Sequence, residues 1–312
     1  MLTFTLYRII VYKGDKMLKQ PKLIVLDLDN SIYDWHAYYA LSTKRSIEKA
    51  SEITGIPYEK LCEEFKQILD KEDSIEYPFV IQQLPSILSH YSHDFARVLV
   101  ECSEPAREQF KLAAYPHLKP YPNVLRTLQK LRADYPDTKL AVLTDAPHRI
   151  AIWRLHRLGV LNYFDGVYGL EDPKLPIIGN EVLVTRHTLL KHVDKWMYGF
   201  IGKHRILSND YRKPSTKGLK SILIDFDIEE FDKSDILFAG DNVFKDVAAG
   251  NALGTTSCFL KFGVDVDPKN MEILKEFAPE RFIHKGINLH DDNHPKPDHT
   301  LNNFLELLDI IK

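Results

Sequence analysis

The chain of 312 residues is 44% hydrophobic and 27% charged, which suits a soluble globular protein of one large or two unequal domains. Its 41 Lys and Arg against 44 Asp and Glu leave a net charge of −3, which gives no electrostatic case for nucleic acid or an anionic membrane as a partner. Cys62, Cys102 and Cys258 stand far apart with no Cys-x-x-Cys pattern, against a disulfide framework or cysteine-rich zinc site and in keeping with a reducing cytoplasm; no apolar run reaches the roughly 18 residues of a bilayer span.

The apolar opening, Met1 to Tyr12, lacks the basic start and small-residue cleavage site of a signal peptide. It reads as an extra edge strand or as a lead before Met17. Next comes Lys22-Leu23-Ile24-Val25-Leu26-Asp27-Leu28-Asp29-Asn30-Ser31, an apolar run bounded by turn chemistry, which predicts a buried strand of a parallel sheet. Side chains alternate along a strand, so Asp27 and Asp29 share one side while Leu28 points to the other. Carboxylates at such a strand end are costly to desolvate and serve a metal, a proton transfer or a nucleophilic attack.

From Tyr33 to Leu118 glycine is scarce and apolar residues recur at helical spacing. A break at Thr54-Gly55-Ile56-Pro57, an amphipathic run from Tyr58 to Leu69, and patterns at Phe79–Tyr91 and Phe95–Leu112 predict about four helices. The expected division is residues 33–117 as an inserted all-helical domain, with 1–32 and 118–312 as an α/β core.

Pro116, Pro120 and Pro122 mark the return to the core, where Asn123 stands as N-cap of a helix to Leu131. A strand over Lys139–Leu143 ends at Thr144-Asp145, a helix over Arg149–Leu158 is closed by Gly159, and Phe164–Tyr168 reads as another strand. Residues 170–212 parse as an irregular insertion, in which a strand at Val182–Val184 and a helix at Leu189–Phe200 fit no better than loop. Lys213-Pro214 opens a helix. Asp235–Ala239 is a strand running into Gly240-Asp241-Asn242-Val243-Phe244-Lys245-Asp246, followed by a helix at Val247–Ala252 and a strand at Thr256–Leu260. The His-, Asp- and Pro-rich stretch Ile283–Thr300 reads as a surface loop whose histidines fit no zinc spacing, and Leu301–Leu308 as a closing amphipathic helix. Short buried strands alternating with helices predict a doubly wound, Rossmann-like parallel α/β sheet.

Three of these strands end in polar groups: Asp27/Asp29, Thr144/Asp145 and Gly240-Asp241. In an open parallel sheet the carboxyl ends line the crevice where ligands bind, so these groups can converge, with Lys213 opening a helix between the second and third. Carboxylates for a hard divalent cation, a hydroxyl and an ammonium together match the needs of a phosphoryl group. Each feature also has a plainer reading. Asp-x-Asp can cap the following helix, Thr144 can be a strand-end hydroxyl, and Lys213 a solvated lysine with Lys174 and Lys203 as competitors. Trp35, His36, Tyr38 and Tyr39 are core at helical spacing, with His36 or Tyr39 as the ones to face a pocket.

Asp27-Leu28-Asp29-Asn30-Ser31 resembles the first motif of the haloacid dehalogenase (HAD) superfamily, Asp-x-Asp-x-Thr/Ser. Leu143-Thr144-Asp145 resembles the second motif, Lys213-Pro214 the third, and Gly240-Asp241 through Asp246 the fourth, Gly-Asp-x-x-x-x-Asp, all in the family's order. The resemblance implies a phosphatase of a small phosphorylated substrate, with the helical insert as a cap. It makes Asp27 the nucleophile that forms an aspartyl-phosphate and Asp29 the acid and then the base. Thr144, Asp145 and Lys213 would bind the phosphoryl group. Mg²⁺ would take Asp27, the backbone carbonyl of Asp29, Asp241 and Asp246. Asp145 stands where many relatives have Asn. Asp29 to Tyr33, Thr144-Asp145-Ala146 and Phe164-Asp165-Gly166 are similar to pyrimidine 5′-nucleotidase-like members. The competing expectations are a dehalogenase using Asp27 alone, a phospho-accepting receiver domain, and a non-catalytic phospho-ligand binding protein on the same fold.

Overall fold

A computed structural model describes residues 20–178, 181–182, 199–283 and 294–311. The stretch before Met17, the Leu189–Phe200 helix up to residue 198, and tail residues 284–293 lie outside the described residues. No described helix is long and apolar enough to cross a membrane.

The centre is a seven-stranded sheet in which every pairing is parallel. β1 (Leu23–Leu26) lies between β2 (Lys139–Pro147) and β7 (Ile236–Gly240), with Leu26 in register with Val142 on one side and Ala239 on the other. β3 (Gly166–Leu170) and β6 (Lys203–Leu207) extend the sheet beyond β2; β8 (Thr256–Leu260) and β9 (His299–Leu301) extend it beyond β7. Alternate residues of each central strand face opposite layers, and both layers are apolar. Leu23, Val25, Ala141 and Phe238 meet Leu219 and Ile222 of α8 (Lys217–Asp225). Ile24, Leu26, Val142 and Leu237 belong to the larger cluster with α6 (Val124–Asp134) and α7 (His148–Arg157). Burial on both faces is why these strands read as continuous apolar runs.

Between β1 and α6 the chain is helical, as its spacing predicts: α1 (Trp35–Thr54), α2 (Tyr58–Lys71), α3 (Pro85–His90), α4 (Phe95–Arg97) and α5 (Glu104–Ala114), the last two joined by a π-helical turn at Val98–Ser103. Asp34 caps α1 by accepting from the Ala37 amide at 2.9 Å, and Gly55 ends it in the left-handed region at φ 70°.

Several expectations are corrected. Asn123 takes the N-cap position of α6, its carbonyl accepting from Thr127 N at 2.8 Å, but at φ 70° in a tight turn its side chain makes no capping bond. The 170–212 stretch is not wholly irregular. Its end supplies β6, an exposed edge strand with only Leu207 buried, while Ile177–Ile178 (β4) and Glu181–Val182 (β5) make a separate antiparallel ribbon. The tail is not loop throughout, since His299–Leu301 forms the opposite edge strand, and the closing helix is a short 3₁₀ turn at Phe304–Leu308. α9 (Ala248–Leu253) follows the fourth motif as expected. α10 (Pro268–Phe277), not anticipated, packs on α1 and α2.

Candidate active site

The register of the sheet sets the site. Asp27 N donates to Ala239 O at 2.9 Å, which places Asp27 beside Gly240 at the carboxyl ends of β1 and β7. A cavity of about 410 Å³ opens there, lined by Asp27, Asp29, Thr144, Lys213, Asp241 and Asp246 from the sheet side and by Trp35 and residues 73–76 from the helical side. Of the three candidate lysines, the fold brings Lys213 to the carboxylates. Its ammonium lies 2.5 Å from Asp27 Oδ1 and 2.6 Å from Asp246 Oδ1, with Leu143 O at 3.4 Å. Lys174 is an exposed loop residue, and Lys203 begins β6 in register with Gly166, at the opposite ends of the strands.

Asp27, Asp241 and Asp246 are buried, and ligand oxygens from all three lie within 4.8 Å of one another. Burial and, next, the neighbouring charges of Asp27 and Asp246 push the Asp241 carboxyl well above its usual range. For Asp27 burial is again the largest influence; Lys213 opposes it, Asp246 and Asp29 add to it, and the pKa is pushed up to about 7. Burial would strip the Lys213 ammonium of its proton, but Asp246 and Asp27 outweigh it and hold that group well above its ordinary value. Ser31 Oγ donates to Asp27 Oδ2 at 3.2 Å, so both oxygens of this carboxylate are engaged. Asp246 Oδ2 accepts from Asn242 N at 3.0 Å, and Asn242 Oδ1 accepts from Phe244 N and Lys245 N, which shapes the turn after Asp241. Gly240 is required here, because a Cβ would fall 2.3 Å from the Asp246 carboxylate.

Asp29 is not part of this cluster through its side chain. Its Oδ1 accepts from Tyr33 OH at 2.6 Å and from Arg154 NH1 at 3.1 Å. The second Arg154 nitrogen bonds Glu76, which also accepts from Trp35 Nε1 at 2.5 Å. Burial first, opposed by Arg154 and reinforced by Glu76, pushes the Asp29 carboxyl up to about 6. Thr144 is buried, and its hydroxyl accepts from Ala146 N at 3.1 Å while keeping a proton to donate. The Asp145 carboxylate accepts from Lys213 N at 3.0 Å and from Lys245 Nζ at 2.9 Å. Burial raises this acid, but the two lysines more than offset it and hold it below the usual carboxylate range.

Sequence reasoning thus missed Arg154, Glu76, Tyr33 and Lys245. Arg154 did carry a signal: it falls in the apolar stripe of α7 among the buried Ala151, Ile152 and Leu155, where a cation needs a buried partner. Gly263 was also missed; a Cβ there would meet Asn30 O at 2.1 Å and Asp241 Cβ at 2.7 Å. Of the aromatics, Trp35 lines the cavity, whereas His36 is buried against Asn30 Oδ1 at 2.8 Å and Tyr39 stacks on Trp35.

A family model described as a haloacid dehalogenase-like hydrolase matches residues 21–254. Among solved structures, a HAD phosphatase from Thermococcus onnurineus aligns at 19% identity and a TM-score of 0.49, covering 93% of this chain and 97% of that one. A 2-haloacid dehalogenase from Pseudomonas syringae pv. Tomato DC3000 aligns at 16% identity and a TM-score of 0.49, again over 93% and 97% of the two chains. No curated protein sequence matches.

Proposed function

The chain belongs to the haloacid dehalogenase-like hydrolases, and from that premise we propose that it is a Mg²⁺-dependent phosphatase of a small phosphorylated metabolite, working through an aspartyl-phosphate. The observation that carries this reading is the meeting of Asp27, Asp29, Thr144 and Lys213 with the Asp27–Asp241–Asp246 cluster in one cavity. Asp27 attacks phosphorus, and Asp29 gives its proton to the leaving oxygen. Asp29 then takes a proton from the water that hydrolyses the intermediate. The Thr144 hydroxyl donates to the transferring phosphoryl group, and Lys213 offsets its charge. Because the Asp145 carboxylate is committed to Lys213 and Lys245, its part in phosphate binding falls to its backbone amide.

The donor set fits a hard cation. Three buried carboxylates share a single lysine that bonds two of them, which leaves negative charge to be offset. Asp27, Asp241 and Asp246, with the backbone carbonyl of Asp29, would hold Mg²⁺. When bound, the ion supplies charge neutralisation and polarises phosphoryl oxygens. Residues 33–117 act as the cap over residues 1–32 and 118–312, a division supported by Trp35 and residues 73–76 facing the sheet ends across the cavity. Such a cover excludes water and reads the leaving group.

The test is phosphate release from p-nitrophenyl phosphate with Mg²⁺, where Asp27→Asn removes activity and EDTA silences the wild type. Equal activity in wild type and Asp27→Asn, or none in either across a broad panel of phosphate esters, overturns the reading.

A further inference from the structure

Arg154 belongs to none of the four motifs, yet from the buried face of α7 it bonds two residues that line the cavity, Asp29 and Glu76. Its side chain is 3% exposed, and its two terminal nitrogens go to different parts of the protein: NH1 to Asp29, beside the nucleophile, and NH2 to Glu76, on the helical side of the cavity. The guanidinium also lies over the rings of Tyr38 and Tyr33, with its carbon 5.1 and 6.0 Å from their centroids. A planar fork can bind two carboxylates at once in a fixed orientation, which an ammonium cannot. Asp29 has little freedom as a result. Tyr33 and Arg154 both engage Oδ1, and among the described residues no group bonds Oδ2, the oxygen left for a ligand in the cavity that Asp29 lines.

We propose that Arg154 is a positioning residue that fixes Asp29 for proton transfer to the leaving group and makes that placement depend on Glu76 of the cap. The inference rests on the phosphatase reading, in which Asp29 is the acid. As the P–O bond breaks, its electron pair stays on the leaving oxygen, the Asp29 proton moves to that oxygen, and the carboxylate left behind stays paired with Arg154. In the second half Asp29 takes a proton from water, and the pairing is retained. A salt bridge that only held the fold together would have no reason to distinguish one leaving group from another.

Leaving groups separate the two roles. An alkoxide needs the proton, whereas p-nitrophenolate departs without it. Arg154→Met is expected to lower kcat on an alkyl phosphate such as glycerol 2-phosphate by about 100-fold, within the range of general acid catalysis, and on p-nitrophenyl phosphate by under about 5-fold, with KM for both nearly unchanged. Arg154→Lys keeps the buried charge but loses the fork, so the same asymmetry returns at about 10-fold. It carries the test should Arg154→Met fail to fold. An equal loss on both esters, or no loss on the alkyl ester, overturns the positioning role. Asp27→Asn is assayed beside them: if it is as active as wild type the phosphatase reading has failed, and if it is inactive while the Arg154 variants lose both esters equally, only the present inference has.

Discussion

Lys213 shows how a single side chain can organise several charges. It bonds Asp27 and Asp246, and its own backbone amide meets Asp145, so one residue settles where three carboxylates sit. His148 is the opposite case, a buried residue whose ring nitrogens have no partner among the described residues. Burial first, then His204 and Arg149, lowers its pKa from 6.5 to about 4. The unfolded chain therefore binds a proton between these values that the fold does not, so stability is full above about pH 6.5 and declines as pH falls toward 4, by up to about 3 kcal/mol. Urea unfolding at pH 7 and pH 4.5 should show this loss, and His148→Leu should reduce it; an unchanged pH slope in the variant would contradict the account. Asp27, Asp29 and Asp241 were legible because each follows an apolar run at a strand end, and Asp246, in the helical turn after β7, through its spacing from Asp241 in the fourth motif. Glu76 was not, because its partner Arg154 is 78 residues away and no local spacing encodes that pairing.

At the scale of elements, legibility followed burial. β1 and β7 are wholly buried and announced themselves as apolar runs, whereas four of the five residues of the edge strand β6 are exposed and gave neither run nor alternation. The turn leaving β7 is held by exclusion as much as by bonding. Gly240→Ala would drive a methyl group into the Asp246 carboxylate, 2.3 Å away, and the acid must move, taking its bond to Lys213 with it. If the proposed phosphatase reading holds, the expected result is at least a tenfold loss of phosphate release and a weaker response to Mg²⁺ titration, with the circular dichroism of the wild type retained. Wild-type activity in Gly240→Ala would mean that Asp246 is free to shift without consequence.

Across the whole molecule the helical segment is also tied down by α10 and by Arg281, which itself lines the cavity. α10 packs on α1 and α2, Glu276 accepts from Lys44 at 2.9 Å and from Tyr58 at 2.6 Å, and Arg281 meets Asp70 at 2.6 Å. These ties are partly exposed, so each is modest alone, but they join the helices to a segment that follows β8. Glu276→Ala is expected to speed hydrogen exchange in α1 and α2 by about tenfold while β1 and β7 stay protected, as local opening without global unfolding requires. Uniform acceleration through the sheet would show instead that the segment opens only with the core. The central place of β1 carries a further consequence for biosynthesis. Its neighbours β2 and β7 arrive from far along the chain, so until Ile236–Gly240 leaves the ribosome, Leu23–Leu26 has one side unpaired and the Asp27 amide lacks its β7 acceptor. During that interval the nascent chain carries an open, greasy sheet edge of the kind that recruits other chains, and a premature stop before β7 would make that state permanent.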